Sequence, residues 1–170
     1  MICSDFIFCL KTGSSKFGRK CCVCRRESNE PKITCQENKR TYSLINDQNN
    51  VVINFLIDGG VISDEDEIRK CDRLYYVHDE NGNSVIFIEL KGKKIVHALD
   101  QLYATANLFR DCFKDCRKHF RVVCSGAPKI ANDSKSIALK RKIFKEFNSQ
   151  PIIKLNKLEE KYSHLNSEVE

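Results

Sequence analysis

Residues 71–92 read CDRLYYVHDENGNSVIFIELKG, and this stretch decides the predicted fold. Two runs rich in β-branched and aromatic residues, 73–77 and 84–90, flank a loop of turn-forming residues, which predicts a β-hairpin. Residues 51–57 have the same composition, and Asp58 with two following glycines supplies a turn after them. The sequence therefore predicts three consecutive strands, arranged as an antiparallel meander.

The hydrophobic period changes after Gly92. Apolar residues then recur at three- and four-residue steps, which predicts a helix of about four turns. These positions are Ile95, Leu99, Leu102, Ala106 and Phe109. The short apolar run 120–124 predicts a further buried strand, and a basic amphipathic helix followed by a polar tail is predicted beyond Asn132. The fold class is therefore α/β, with a mixed central sheet flanked by helices.

The chain is predicted to divide into three parts. Residues 51–132 form the core, residues 1–50 form an irregular, cysteine-rich segment packed on it, and residues 133–170 hold the basic helix and tail. The ten cysteines include Cys21-x-x-Cys24 and Cys35, which are part of a ligand set for structural zinc. Reduced thiols are the alternative, because the chain opens without a secretion signal that would favour disulfides.

The residues with the clearest chemistry are Asp72, Glu89 and Lys91. Side chains alternate along a strand, so Glu89 and Lys91 share one face, and a hairpin can set Asp72 beside Glu89. Two adjacent carboxylates repel each other, and a hard divalent cation such as Mg²⁺ relieves that repulsion through oxygen coordination. A charged end of an edge strand is the alternative interpretation of Glu89 and Lys91.

At these residues the chain resembles the PD-(D/E)xK nuclease superfamily, which has the restriction-endonuclease-like fold. The motif is Asp72 followed by Glu89-Leu90-Lys91, and the order of strands and helix around it is similar to an αβββαβ core. The resemblance covers residues 51–124, and Cys71 stands where the motif has its proline. It implies an endo- or exonuclease that hydrolyses phosphodiester bonds of DNA with Mg²⁺ or Mn²⁺, as an effector in defence or repair.

By the same resemblance, Asp72, Glu89 and the backbone carbonyl of Leu90 would bind the metal, and Lys91 would serve the attacking water. The sequence indicates less clearly which other residues would support the metal site. Related nucleases place a glutamine and a tyrosine four residues apart on the following helix, whereas here Gln101 is followed by Thr105. The other candidates are His97, Asp58 and an N-terminal acid that completes the metal site: Glu27, Glu30 or Glu37.

Lysine and arginine (29) outnumber aspartate and glutamate (23), which gives a formal net charge of +6. Such an excess favours polyanionic partners, and nucleic acid, chiefly DNA, is the partner that the motif suggests. The predicted contacts to phosphates are Lys93, Lys94, Lys140 and Arg141.

Three readings of the function remain open at this point. Besides a DNA nuclease, they are an RNA-processing nuclease on the same fold and a non-catalytic module that binds nucleic acid or protein. The sequence shows no run of about 20 apolar residues, so no membrane contact and a cytoplasmic location are expected. The small size favours action as a homo-oligomer or within a larger complex.

Overall fold

The most hydrophobic strand of the sequence lies at the centre of the structure. In the computed structural model, which describes residues 25–63, 65–125 and 133–165, seven of the eight residues of β6 (Ser84–Lys91) are buried. Strand β6 pairs antiparallel with β5 (Arg73–His78), and β5 pairs antiparallel with β4 (Val51–Leu56). On its other side β6 runs parallel to β7 (Arg117–Cys124). The predicted antiparallel meander is therefore confirmed.

Two short strands extend this main sheet at its edges. Strand β1 (Arg25–Ser28) pairs antiparallel with β4, and β8 (Ile152–Leu155) pairs parallel with β7. The order across the sheet is β1-β4-β5-β6-β7-β8, so the sheet is mixed, as predicted. It draws strands from all three predicted parts of the chain.

Two helices cover one face of the main sheet. The connection between the parallel strands β6 and β7 is α1 (Ile95–Leu108), as a parallel pair requires. The basic segment forms α2 (Ser134–Phe147), which packs against α1. The core on this side includes Phe87, Leu99 and Phe120. Within the described residues, no helix is long and apolar enough to cross a membrane.

A second, three-stranded sheet covers the opposite face. It consists of β2 (Lys32–Glu37), β3 (Arg40–Ile45) and β9 (Lys157–Lys161), and the short helix α3 (Tyr162–Leu165) follows β9. Residues of this small sheet, Tyr42 and Leu44 among them, form a second core with Tyr75 and Ile86 of the main sheet. The protein is thus a mixed α/β structure in which both faces of the main sheet are buried.

The predictions of an irregular first third and a polar tail were wrong in the described parts of the chain. Strands β2 and β3 are joined at Asn38 and Lys39, which both have positive φ angles of 45° and 66°. This backbone suits a tight hairpin, but a lysine is not the glycine that normally marks one. Strand β9 has the sequence Lys-Leu-Glu-Glu-Lys and buries little besides Leu158. Because most of its residues are charged, the hydrophobic pattern did not predict a strand there.

One buried ion pair joins the small sheet to the main sheet. Arg121 of β7 is fully buried, and its Nε lies 2.7 Å from Oε1 of Glu160 on β9. The Tyr42 hydroxyl donates a hydrogen bond of 2.8 Å to the same oxygen. Because an unpaired charge inside a protein is costly, the packing of the two sheets depends on this carboxylate.

We expect Glu160→Gln to lower the free energy of unfolding by about 3 kcal/mol, because the Arg121 guanidinium would stay buried without a counter-charge. Urea denaturation at pH 7 measures this. Glu159→Gln is the matched control: Glu159 pairs with Lys32 at an exposed position, so its loss should cost less than about 1 kcal/mol. Equal stability of the two variants would contradict the assigned role of the buried pair.

Candidate active site at the ends of strands β5 and β6

The backbone ladder between β5 and β6 ends at the pair formed by Arg73 and Ile88. Asp72 and Glu89 are the next residues on the two strands and stand opposite each other. The Asp72 N–H donates to Oε2 of Glu89 over 3.2 Å, and the Leu90 N–H donates to Oδ2 of Asp72 over 2.6 Å. The structure thus brings together the two predicted carboxylates, which accept the hydrogen bonds that a continued ladder would have made.

Lys91 lies beside Glu89, as the alternation along β6 predicts. The side chains of Ile88 and Leu90 belong to the core under the small sheet, so Glu89 and Lys91 point to the helical side. Nζ of Lys91 lies 3.2 Å from Oε1 of Glu89. The Glu89 side chain is 0% exposed, whereas that of Lys91 is 30% exposed, so the pair spans the boundary between the interior and solvent.

Both carboxyl groups have raised pKa values. Burial raises the pKa of Glu89 to about 8, the charge of Asp72 adds to the rise, and Lys91 opposes it. Burial also raises the pKa of Asp72 to about 6, against the hydrogen bond from Leu90, and the charge of Glu37 adds to the rise. Two adjacent acids with such pKa values have a high affinity for any positive charge, whether a proton or a metal ion.

Two further acids lie next to Asp72. A cavity of about 210 Å³ is lined by Asp72 and Leu90 together with Asp58 and Glu37. Of the three N-terminal acids considered from the sequence, Glu37 is the one that lines this cavity. It reaches the site because the hairpin of β2 and β3 folds over the end of the main sheet.

The turn after β4 places Asp58 at the cavity. Gly59 has a φ of 74°, and a Cβ atom on Gly60 would lie 2.3 Å from the carbonyl oxygen of Leu56, so only glycine fits there. Asp58 Oδ1 lies 3.4 Å from Nζ of Lys70, a buried lysine that also donates to two backbone carbonyls of the connecting segment. Asp58 is therefore partly neutralised, unlike Asp72.

Helix α1 holds the segment that leads into Asp72. Gln101 Nε2 donates to the carbonyl oxygen of Lys70 over 2.7 Å, and the N–H of Cys71 donates to Oγ1 of Thr105 over 2.8 Å. The Thr105 hydroxyl in turn donates to the Gln101 carbonyl. Gln101 was predicted as a supporting residue, whereas the contact of Thr105 with the segment before Asp72 was not predicted. A pair of polar residues four apart on an otherwise apolar helix face was the signal that could have identified both.

The predicted basic residues fall into two groups. Lys93 and Lys94 are exposed in the turn between β6 and α1, and His97 is exposed in the first turn of α1. Partial burial and, after it, the charge of Lys91 lower the pKa of His97. Lys140 and Arg141 instead lie on α2 and do not line the cavity beside Asp72.

The predicted zinc site cannot be assembled from the described residues, because Cys21 and Cys24 lie outside them. Cys35 is described, and it is a free cysteine buried on β2. Burial raises the pKa of the Cys35 thiol to about 11, which favours the protonated form over the thiolate that zinc requires. Cys71 is fully buried in the core next to the helices, as expected from packing.

The donors around Asp72 and Glu89 suit a hard cation in their chemistry. Both are carboxylates, which are the oxygen donors that a hard cation prefers, and Oε1 of Glu89 is paired with the ammonium of Lys91 at 3.2 Å. Within the described residues, however, no three His, Cys, Asp or Glu side chains already converge on one point in the manner of a preformed metal site. Backbone and solvent oxygens would have to complete the coordination, and the Leu90 carbonyl stays a predicted ligand.

Comparisons with known proteins add no further constraint. No family model, no curated protein and no solved structure matches this chain. The interpretation of the site therefore rests on the geometry of its own residues.

The raised pKa of Glu89 has a measurable consequence. An unfolded Glu89 ionises near pH 4.5, whereas the folded one keeps its proton to about pH 8, so the stability that this proton provides is lost as the pH rises between these values. Glu89→Gln avoids that loss. We expect the stability of this variant relative to the original protein to increase by about 2 to 4 kcal/mol from pH 5 to pH 9 in the presence of chelator.

Urea unfolding at several pH values provides the measurement. Glu159→Gln, at an exposed carboxylate whose pKa is lowered by Lys32 and Lys157, should follow the original protein over the same range. Parallel pH curves for Glu89→Gln and the original protein would show that Glu89 titrates normally.

A second prediction concerns Thr105. Thr105→Val removes the acceptor of the Cys71 N–H inside the protein, and an unpaired buried donor costs roughly 1 to 3 kcal/mol. Thr105→Ser keeps the hydroxyl and is the matched control. Hydrogen exchange at the Cys71 and Asp72 amides should accelerate in the valine variant and not in the serine variant, and identical exchange in both would exclude a positioning role for the hydroxyl.

Proposed function

We propose that the protein is a metal-dependent nuclease that hydrolyses phosphodiester bonds of DNA. The observation that carries this proposal is the opposed pair of Asp72 and Glu89, with Lys91 3.2 Å from Glu89, where the β5–β6 ladder ends. Carboxylates with raised pKa values beside a lysine are typical of sites that bind a cation and act on a phosphate.

The arrangement of elements supports a restriction-endonuclease-like core. Strands β4, β5 and β6, helix α1 and strand β7 follow one another in the βββαβ order of that core, and β6 and β7 are parallel. The helix that opens the αβββαβ pattern has no counterpart in residues 25–50, which contain strands. The main sheet and α1 are therefore the part of the structure on which the proposed fold rests.

Asp72, Glu89 and Lys91 each have a role in the proposed mechanism. Asp72 and Glu89 would hold Mg²⁺ or Mn²⁺, losing their protons as the cation binds. Such a cation supplies Lewis acidity toward the scissile phosphate. Lys91, at the solvent boundary, donates hydrogen bonds to the attacking water or to the phosphate oxygen on which negative charge develops. Asp58 and Glu37 add negative charge at the cavity beside Asp72 and would accept hydrogen bonds from water there.

The surroundings of the site favour a polyanionic substrate. Lys93 and Lys94 are exposed directly after Lys91, and Arg69 forms an ion pair with Asp100 beside the first turns of α1. Lysine side chains at a rim contact phosphates without reading the sequence of bases. The net charge of +6 acts in the same direction.

A non-catalytic nucleic-acid-binding module is the second candidate, and one observation favours it. Asp72 and Glu89 each accept a backbone hydrogen bond from the opposite strand, so the pair also has a structural use. In that case the acids close the end of the ladder, and the basic rim binds nucleic acid without cleaving it.

Cleavage assays separate these candidates. We expect the protein to cut labelled DNA with Mg²⁺ or Mn²⁺ and not with chelator, and Asp72→Asn and Glu89→Gln to abolish cutting while the fold is kept. Lys91→Ala should slow single-turnover cleavage about 10²- to 10³-fold. Lys93→Ala is the matched control, and losing one of several phosphate contacts should weaken binding only about severalfold.

The substrate set should include single- and double-stranded DNA and RNA, so that an RNA nuclease is recognised by its preference. Binding in Ca²⁺ at one salt concentration gives the affinity of each variant independently of cleavage. Tight binding with no metal-dependent cleavage of any substrate would favour the non-catalytic module. Normal cleavage by Glu89→Gln would exclude the assigned site.

A further inference from the structure

A second, larger cavity lies at the other end of the main sheet. It is open to solvent, has a volume of about 620 Å³ and includes residues at the start of β7 and the end of α2. Because β6 and β7 are parallel, the start of β7 is opposite to the sheet end that carries Glu89 and Lys91. Eight residues of strand separate the two ends by roughly 25 Å, so this cavity is a distinct site.

The cavity exists because β8 covers only half of β7. Strand β8 pairs with Arg121–Cys124, which leaves the earlier part of β7 without a neighbour on that edge. The end of α2 and the segment leading to β8 form the opposite wall. The lining includes Arg117, Lys118 and His119 at the start of β7, and Phe144, Asn148 and Gln150 opposite them.

The polar lining of this cavity is suited to an anion. Two of the ten lining residues, Arg117 and Lys118, are cationic. Nη2 of Arg117 lies 3.6 Å from Oδ2 of Asp79, and the Lys118 ammonium donates to the carbonyl oxygens of Phe113 and Cys116, so Arg117 is the cation that can meet a ligand. The guanidinium of Arg117 donates to the Gly82 carbonyl through Nη2 at 2.7 Å, which fixes its orientation. A guanidinium with an N–H group left unpaired is a strong binding partner for phosphate oxygens.

Two buried nitrogen atoms in this lining lack a hydrogen-bond partner. They are Nε of Arg117 and Nε2 of His119, and His119 is only 4% exposed. Burial and the charges of Arg121 and Arg117 lower the pKa of His119 to about 3, so its imidazole is neutral at pH 7. Nε of Arg117 is a donor, and Nε2 of the neutral His119 is a donor in one of its two tautomers. A buried donor without an acceptor is costly, and an oxygen-bearing ligand in the cavity would relieve that cost.

The remaining lining offers a surface for a flat ring. Phe144 is 46% exposed and lines the cavity, so part of its ring is accessible to a ligand. Asn148 and Gln150 place two side-chain amides beside it, and both residues are exposed. An aromatic ring for stacking and amides for hydrogen bonds to ring edges form the usual lining of a nucleobase pocket.

We propose that this cavity is a binding site for a nucleoside monophosphate, with the phosphate at Arg117 and His119 and the base against Phe144. The volume lies in the range of pockets that enclose ligands of this size. The site is separate from the proposed nuclease centre and does not depend on its activity.

Nuclear magnetic resonance titration of the full chain tests this proposal. The probes are AMP, GMP, CMP and UMP, with inorganic phosphate and adenosine as the two parts of the ligand. We expect at least one nucleotide to shift the backbone amides of Arg117–His119 and Asn148–Gln150 and to bind more tightly than either part. Amides around Asp72 and Lys91 should not shift in the absence of divalent metal.

Matched variants assign the contacts. Phe144→Ala should weaken nucleotide binding about tenfold through lost stacking and leave binding of inorganic phosphate unchanged. Ile137→Ala, at an exposed apolar residue of α2 outside the cavity, should bind as the original protein does. The proposal is overturned if no nucleotide binds, if shifts centre on Asp72, or if Phe144→Ala binds normally.

Discussion

The candidate site depends on the point at which β5 and β6 stop pairing through their backbones. Beyond Arg73 and Ile88 the two chains are still linked, but the acceptors are now the carboxylates of Asp72 and Glu89. This exchange places two acids against each other in a region that burial has desolvated. Ionising both is unfavourable, since neither solvent nor a matching number of cations surrounds them. The same geometry that costs stability in the free protein would be relieved by a bound cation, which is why we propose a functional site here.

Much of this arrangement could be predicted because it follows from local rules. The alternation along β6 sets Glu89 and Lys91 on one face and Leu90 on the other, and a shift of one residue would have reversed these faces. The hairpin register then fixes which residue stands opposite Glu89, because a short loop between two antiparallel strands permits few pairings. Strand β6 was recognisable because almost every residue in it is apolar, as expected of a strand buried on both faces.

The small sheet could not be predicted from the same rules. Strand β2 buries single residues between exposed polar ones, and the hairpin of β2 and β3 turns at Asn38 and Lys39 instead of at a glycine. The pairing of β3 with β9 joins residues more than a hundred positions apart, which no local pattern encodes. Because the small sheet was not predicted, one acid of the candidate site could not be placed either. Glu37 belongs to that hairpin, so the sequence could name it as one of several acids but could not place it beside Asp72.

Helix α1 connects the site to the rest of the core. Gln101 and Thr105 bind the main chain on the approach to Asp72, while Tyr103 on the same helix contacts Phe147 of α2 and donates a hydrogen bond to Glu146. A change in how α2 packs would therefore be passed to the segment that carries Asp72 through one rigid helix. Apolar residues of α1, Ile95, Leu99 and Leu102 among them, fill the core beside the main sheet. One helix therefore serves two purposes: its polar residues at 101 and 105 hold the main chain of the site, and its apolar residues hold the core on which that main chain rests.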